Sequence, residues 1–212
     1  MSKINQILSQ WPPQTLLTSD WLEKKGVSRQ LAASYVKSGW FERFDTGVFK
    51  RPQDEVTWAG ALYTLQAISG LAVFIGGKTA LEIQGYGHYV QADYPGKVVL
   101  WKEPDLWLPA WFTKHEWEAQ VQVRSARLFD DWELGITTRN VEGHRLLLST
   151  PERAMLEYVY DIPKQESFDQ GHYIMEGLAT LRPALLQKLL QSCRSIKAKR
   201  LFLHMAHTYT HS

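Results

Sequence analysis

The chain has 212 residues, of which 44% are hydrophobic and 22% charged, a composition that excludes intrinsic disorder. The length suits one large domain or two small ones. The formal net charge of +2 does not by itself indicate a nucleic-acid partner, because chains that bind nucleic acid strongly are usually more basic.

The cellular compartment follows from three features of the sequence. A single cysteine, Cys193, excludes a disulfide framework and a cysteine-rich zinc site and suits a reducing cytosol. Residues 1–10 lack the apolar core of a signal peptide, and no apolar run reaches the ~18 residues that span a membrane. We therefore expect a cytoplasmic protein with no membrane partner.

The pattern of residues 1–52 predicts a compact unit that begins with a helix. Apolar side chains recur at helical spacing from Ile4 to Trp11, and Pro12-Pro13 ends the pattern. Residues 15–17 suit a short strand.

Two further helices follow, each with a capping residue before it and a glycine after it. Thr18 caps the second helix, which Gly26 ends; Ser28 caps the third, which covers residues 29–38 and stops before Gly39. Two helices joined by a short turn that contains glycine form a helix-turn-helix.

A β-hairpin is predicted directly after the third helix. Two aromatic-rich runs, residues 40–44 and 48–51, flank a turn that contains Gly47. A hairpin in this place is the wing of a winged helix-turn-helix.

The third predicted helix has an apolar side and a polar side, and the polar side carries no acid. Arg and Gln can make bidentate hydrogen bonds with base edges, and Ser and Lys can reach phosphates or bases. We interpret this side as a reader of the DNA major groove; the alternative is an ordinary solvated face, which would usually also carry Glu or Asp. The residues assigned to it are Ser28, Arg29, Gln30, Ser34 and Lys37.

The charge is unevenly distributed along the chain. Residues 1–52 hold eight basic and four acidic residues, a net charge of +4, whereas the remaining 160 residues hold 16 basic and 18 acidic ones. The excess of positive charge supports DNA binding by the N-terminal unit. The residues assigned to phosphate contacts are Lys24, Lys25, Arg43, Lys50 and Arg51.

The rest of the chain predicts a second, mixed domain. Residues 52–92 form a structured connector, and the region from 93 to 148 is rich in β-strand patterns. The last third is helical, beginning with Thr150 as a cap and Pro151 in the first turn.

The connector is predicted to contain a helix over 55–69, an apolar run over 71–75 and a helix over 78–84. The strands are predicted at 97–101, 120–124, 136–140 and 144–148, and the later helices at 150–160, 167–181, from Pro183, and at 196–207.

The predicted fold class is therefore α+β. A winged helix-turn-helix domain with connecting helices covers residues 1–90, with its core in residues 1–52. An α+β domain of short strands followed by helices covers residues 91–212.

A second basic stretch lies near the C-terminus, where residues 177–212 contain six basic residues and no acidic one. Such a surface could contact the DNA backbone or an acidic partner, and the alternative is solvated helix faces. The six residues are Arg182, Lys188, Arg194, Lys197, Lys199 and Arg200.

No active site can be assembled from the sequence. Residues 72–79 fit a relaxed phosphate-loop pattern, but strand-forming residues fill the loop and the first glycine is missing. His204, His207 and His211 have a metal-like spacing, yet histidines at a chain end usually form a solvated tail. No Gly-x-Ser-x-Gly is present, and Glu23-Lys24-Lys25 alone does not make a nuclease. We expect no enzyme, no catalytic residue, no metal and no cofactor.

Three separated motifs carry a resemblance to a known family. They are the run 74–89, which contains Gly76-Gly77-Lys78-Thr79-Ala80; the run 146–154; and the segments 175–178, 181–183 and 197–203. In this order they resemble the AbiEi family of antitoxins and transcriptional regulators from bacterial type IV toxin–antitoxin systems.

The resemblance implies a domain organisation, a DNA target and a partner protein. It implies an N-terminal winged helix-turn-helix that binds inverted repeats at its own promoter, and a C-terminal domain needed for antitoxin activity. The partner it implies is a nucleotidyltransferase-like toxin, with no direct contact required. Members usually continue beyond the position of Leu203 with a basic, glycine-rich segment, whereas this sequence ends at Ser212.

The function predicted is a transcriptional repressor that binds double-stranded operator DNA and acts as an antitoxin. The main alternative is an interaction module whose C-terminal domain neutralises a toxin directly. A nuclease or nucleotide-using enzyme is the third interpretation, and the lack of an acidic cluster opposes it.

Overall fold

The computed structural model describes residues 2–87 and 96–210, with side chains as far as residue 208 at the C-terminal end. The predicted domain boundary at residues 90 and 91 lies outside the described residues. Within these ranges no helix is long and apolar enough to cross a membrane.

The N-terminal unit is a winged helix-turn-helix. Its elements are α1 (Lys3–Gln10), β1 (Leu17–Thr18), α2 (Ser19–Lys24), α3 (Arg29–Lys37), β2 (Glu42–Asp45) and β3 (Val48–Lys50). The strands form an antiparallel sheet in the order β1-β3-β2. The hydroxyls of Ser2, Thr18 and Ser28 accept N–H groups at the starts of the three helices, so the predicted caps on α2 and α3 are confirmed.

This unit has its own apolar core. Phe41 lies at its centre, with ring centroids 5.2 Å from Trp11 and 5.2 Å from Tyr35 in edge-on arrangements. Aromatic pairs in this geometry add stability beyond the area they bury. The buried residues of the cluster are Ile7, Trp11, Leu17, Leu22, Val27, Ala32, Phe41 and Phe49.

The second part of the chain is built on a mixed five-stranded sheet. Its strands are β4 (Val73–Ile75), β5 (Lys97–Lys102), β6 (Gln120–Ser125), β7 (Ile136–Val141) and β8 (His144–Ser149). Their order is β6-β5-β4-β8-β7. The β5–β6 and β4–β8 pairs are parallel, and the β4–β5 and β7–β8 pairs are antiparallel. The shortest strand, β4, is therefore the central one.

Helices pack around this sheet and complete the larger core. They are α4 (Trp58–Tyr63), which continues as a π-helix over Thr64–Ile68, α5 (Gly77–Ile83), α6 (Ala110–Thr113), α7 (Pro151–Asp161), α8 (Phe168–Gly177), α9 (Pro183–Ser192) and α10 (Ile196–Thr210). Helix α7 contacts α5, α8, α9 and α10 and is the most central helix. The predicted α+β class, with a helical last third, is confirmed.

The segment predicted as a connector belongs to this larger core. Trp58, Leu62 and Leu65 have no exposed surface. The hydroxyl of Thr64 accepts the N–H of Leu16 at 2.9 Å, and a Cβ on Gly60 would lie 1.9 Å from the Gln14 carbonyl oxygen. Because Gly60 has no side chain, α4 can lie directly against the winged unit.

Candidate nucleic-acid interface

Helix α3 presents the predicted polar side to solvent and the apolar side to the protein. Ala32 is buried, and Leu31, Tyr35 and Val36 pack against the core of the winged unit. The residues of the opposite side, Arg29, Gln30, Ala33, Ser34 and Lys37, are all exposed. The division of α3 into two sides is confirmed.

Two residues at the start of α3 have partners within the protein. The hydroxyl of Ser28 accepts the Leu31 N–H at 3.2 Å, so its main role is to cap the helix. Arg29 Nε lies 2.8 Å from Glu23 Oε1, and the two side chains are 80% and 44% exposed. An ion pair this exposed contributes little to stability, so Arg29 can leave it for another partner at small cost. Glu23 belongs to α2, so the sequence pattern of α3 alone does not reveal this pair.

Three of the residues assigned to phosphates lie free on the surface of the winged unit. Lys24 and Lys25 are exposed at the end of α2, and Lys25 Nζ lies 5.3 Å from the centre of the Trp21 ring. Arg43 is exposed on β2. These positions flank α3 in the chain, before and after it.

Lys50 and Arg51 have a structural role instead. Lys50 Nζ lies 3.0 Å from Glu42 Oε1 and donates to the Asp54 carbonyl at 3.1 Å. Arg51 donates to the carbonyls of Leu8 and Trp11 and so holds the end of α1. Their charged groups are therefore engaged within the protein, and phosphate binding by Lys50 and Arg51 stays a prediction.

One exposed residue, Trp40, lies where the sequence pattern predicts a strand. Trp40 follows α3 directly and is 47% exposed, although it was assigned to an apolar strand run. Strand β2 begins only at Glu42, which leaves Trp40 in the turn. Its position after Gly39, outside the strand alternation, was the available signal.

The second basic stretch is not a single free surface. Arg182 pairs with Glu152 at 2.9 Å, and Arg194 pairs with Asp130. Lys197 donates to two carbonyls at the end of α7. The other three are Lys188 and Arg200, which are exposed, and Lys199, which is half-buried. Half of the predicted set is therefore engaged: Arg182 and Lys197 bind residues of α7 and its end, and Arg194 binds the segment between β6 and β7.

The pair of Arg182 and Glu152 perturbs both groups. Burial alone would raise the pKa of the Glu152 carboxyl, but hydrogen bonds, chiefly from the side chain and backbone of Arg182 and also from the Thr150 side chain, outweigh burial and lower that pKa to about 2. The pKa of Arg182 is raised, chiefly by its hydrogen bond to Glu152.

The family-like motifs meet in a buried ion pair. Arg153 Nε lies 2.8 Å from Glu157 Oε1, and neither side chain has any exposed surface. Glu157 Oε2 accepts the Gly77 N–H and the Ser149 hydroxyl, each at 2.8 Å. Residues from the first two motifs thus share one carboxylate, which ties α5, β8 and α7 together.

This arrangement explains why glycine occupies positions 76 and 77. A Cβ on Gly76 would lie 2.4 Å from both Glu157 Oε2 and Trp101 Cδ1, and Gly77 has a φ of +52°. The start of α5 therefore binds the protein's own carboxylate where a phosphate loop would bind a phosphate. The geometry disfavours the phosphate-loop interpretation.

Aromatic rings surround the guanidinium of Arg153. It lies 4.6 Å from the centre of Phe74, 4.7 Å from Phe129 and 5.3 Å from Trp132. Its Nη1 donates to the carbonyls of Trp132 and Leu134. Cation–π contacts and charged hydrogen bonds together offset part of the cost of burying this charge, although Arg153 Nη2 is buried without a hydrogen-bond partner among the described residues.

The histidine spacing near the C-terminus does not form a ligand set among the described residues. No group of three His, Cys, Asp or Glu side chains there could hold a metal ion, and His211 lies outside the described range. The His204 ring lies 6.4 Å from Phe168 and 6.3 Å from His172, as part of an aromatic contact between α8 and α10.

A winged helix-turn-helix with an acid-free exposed helix face, joined to a mixed α/β unit, defines a regulator of the winged-helix class. The chain belongs to the AbiEi family. The family described as transcriptional regulator, AbiEi antitoxin N-terminal domain, matches residues 1–92, and the family described as transcriptional regulator, AbiEi antitoxin, type IV toxin–antitoxin system, matches residues 95–212. The resemblance inferred from the motifs is confirmed.

A solved structure supports the fold. The crystal structure of the RV2827C protein from Mycobacterium tuberculosis aligns with a TM-score of 0.62 and 14% identity, covering 97% of this chain and 75% of that one. At this identity the likeness shows the fold alone. No curated protein matches the chain significantly.

Proposed function

We propose that this AbiEi family member binds double-stranded DNA at an inverted-repeat operator in its own promoter and represses that promoter. The observation that carries the proposal is the exposed side of α3, where Arg29, Gln30, Ser34 and Lys37 face solvent with no acid of that helix among them. A helix of this kind enters the major groove in helix-turn-helix proteins.

The phosphate contacts that we propose come from Lys24, Lys25 and Arg43. Their charges are exposed, and the segments that carry them flank α3 in the chain. Contacts of this type fix the position of a protein on the duplex without reading its sequence. Because Lys50 and Arg51 are engaged inside the winged unit, we leave them out of the proposed interface.

We further propose that the protein acts as the antitoxin to a nucleotidyltransferase-like toxin without contacting it. Direct neutralisation would need a free binding surface, and the basic stretch that suggested one is half engaged by Glu152, Asp130 and the end of α7. Lack of co-purification of the two proteins from cells that express both would agree with this proposal, and a stable complex would contradict it.

The substitution Arg29→Ala tests base reading. It should weaken binding to the DNA upstream of the chain's own gene by ~1–3 kcal/mol, because a bidentate contact with a base is lost. Fluorescence anisotropy with a labelled duplex measures this loss. Arg127→Ala is the matched control, since Arg127 is an exposed arginine outside the winged unit.

Lys24→Ala tests the phosphate contacts in the same assay. It should weaken binding to every duplex alike and reduce the salt slope by about 1. If both winged-unit variants bound the promoter duplex as tightly as Arg127→Ala across a salt titration, the proposed docking of α3 would be wrong.

A further inference from the structure

The wing, which is the hairpin of β2 and β3, carries an aromatic residue that packs outside the winged unit. Arg43 pairs with Phe49 and Asp45 pairs with Val48, so Phe44 is an extra residue in β2. An extra residue of this kind forms a β-bulge, which re-aims a side chain. Phe44 accordingly packs against the larger core, whereas Phe49 is buried in the core of the winged unit.

Three rings from the second part of the chain contact Phe44. The His115 ring centroid lies 4.8 Å from that of Phe44, and the Trp111 centroid lies 6.5 Å away in an edge-on arrangement. The Trp117 ring is nearly parallel to that of Phe44, with 13° between the planes and 6.2 Å between the centroids. Aromatic pairs at such distances add stability beyond the area they bury. The wing is therefore joined to the second part of the chain.

Two of these rings are themselves fixed in the larger core. Trp111 is buried, as is Phe112 beside it. The indole N–H of Trp117 donates to the Phe112 carbonyl at 2.9 Å, and the Phe112 and Trp117 ring centroids lie 5.6 Å apart. A ring held by both a hydrogen bond and packing has little freedom to move. The segment 111–117 can thus act as a fixed support for the wing.

Arg43, which is exposed, directly precedes Phe44 in the chain. Because consecutive Cα atoms are about 3.8 Å apart, a fixed Phe44 ring also restricts the backbone of Arg43. Strand β2 lies at the edge of its sheet, so its own sheet supports it from one side only. A side chain on a backbone that is already in place loses less conformational freedom when it binds a partner. The contact of Phe44 with the larger core therefore favours binding by Arg43.

We propose that Trp117 is a positioning residue for DNA binding: it holds Phe44, and through Phe44 it places Arg43 against a DNA phosphate. This inference rests on the proposed function, in which Arg43 contacts a phosphate. It adds that the second part of the chain contributes to DNA affinity without touching the duplex. The alternative is that the wing is held within the winged unit alone, by pairing with β1 and by the Ser19 N–H, which donates to the Gly47 carbonyl at 2.7 Å.

Fluorescence anisotropy of the full chain with the DNA upstream of its own gene, repeated across a salt titration, tests the proposal. Trp117→Ala and Phe44→Ala should each lower the affinity about tenfold, the value of one hydrogen bond to a charged group. Each should also reduce the salt slope by about 1, as Arg43→Ala does. Trp117→Phe keeps a ring against Phe44 and should restore most of the affinity. Tyr173→Ala is the matched control, because Tyr173 is an exposed aromatic residue on α8.

A double-mutant cycle separates positioning from a general loss of structure. In the Arg43→Ala background, Trp117→Ala should change the affinity by less than about twofold, because the contact that it supports is already absent. In the Arg29→Ala background it should still cost about tenfold, since α3 is a separate contact. A partly unfolded protein would instead lose affinity equally in both backgrounds. Thermal unfolding confirms that each variant is folded, and Phe44→Ala replaces Trp117→Ala in the cycle if the latter does not fold.

The outcomes distinguish this inference from the proposed function. Equal losses in the two backgrounds, or binding by Trp117→Ala and Phe44→Ala as tight as that of Tyr173→Ala, would overturn the inference while Arg43→Ala still weakens binding. In that case the winged unit holds the wing by itself. If Arg43→Ala leaves both the affinity and the salt slope unchanged, the proposed phosphate contact of Arg43 is wrong, and the inference is overturned with it.

Discussion

The buried pair of Arg153 and Glu157 provides the sharpest test of how this fold is held together. Glu157→Gln keeps the shape of the side chain but removes its charge. The guanidinium of Arg153, which has no exposed surface, would then have no counter-charge. The amide would also turn one donor toward a site where the carboxylate accepts from Arg153, Gly77 and Ser149.

The expected cost follows from these contacts. Removal of one partner from a fully buried ion pair costs ~3–5 kcal/mol, because the other charge remains buried and unpaired. The double variant Arg153→Met with Glu157→Met removes both charges, and it leaves the donors of Gly77 and Ser149 and the carbonyls of Trp132 and Leu134 without these partners. Its cost should be smaller than the summed costs of the single variants Arg153→Met and Glu157→Met by ~2–3 kcal/mol.

Urea unfolding followed by far-UV circular dichroism measures Glu157→Gln and the four proteins of this cycle. Parallel slopes with a shifted midpoint would show that stability alone has changed. The reasoning fails if Glu157→Gln costs under ~1 kcal/mol, the level of an exposed pair, or if the single costs simply add.

Two further predictions concern neighbouring groups. The lowered pKa of Glu152 means that its pair with Arg182 stabilises the fold above the ordinary carboxyl pKa of 4.5, and this contribution is lost as pH falls towards 2. In chemical denaturation, the free energy of unfolding of Arg182→Ala should therefore fall less steeply over that acid range than that of the parent. An unchanged pH dependence would show that the pair does not stabilise the fold. Gly76→Ala should prevent stable folding, because the new Cβ would overlap Trp101, whereas Gly177→Ala, with nothing within 4 Å, should fold normally. Soluble yield and the midpoint of thermal unfolding distinguish the two variants. Equal values for both would refute the predicted overlap at Gly76.

Local signals were sufficient to predict the winged unit. Thr18 and Ser28 each stand where the sequence places a cap, and α2 and α3 end at Lys24 and Lys37, just before the predicted ends. The hairpin turn likewise contains Gly47, with a φ of +72°. Caps and turn glycines act within a few residues, so a single sequence reveals them.

The interior of the larger core depends on contacts that are distant in the chain. Gly77 is hydrogen-bonded to a carboxylate 80 residues away, which no spacing rule connects to the glycine pair. The helix predicted from residue 55 begins instead at Trp58, because Thr57 is its cap, and its last part becomes a π-helix. In that π-helix, Gln66 hydrogen-bonds the backbone of Leu147 in β8, a tertiary contact that helix periodicity does not encode.

In the candidate interface, too, local features are predictable from the sequence and distant contacts are not. Periodicity correctly placed the exposed side of α3, because burial of its apolar side is a local pattern. It could not show that Arg51 binds the carbonyls of Leu8 and Trp11, since those atoms lie about 40 residues earlier. A count of charges treats every basic residue as available to bind DNA. Only the tertiary contacts show that Arg43 is exposed whereas Arg51 is bound to backbone carbonyls.

Selection of duplexes from a random DNA library tests the central claim, that α3 reads bases, most directly. The parent protein and Arg127→Ala should enrich one common sequence motif, and the double variant Arg29→Ala with Gln30→Ala should enrich none while still binding DNA through its remaining basic residues. Enrichment of the same motif by that double variant would contradict the account.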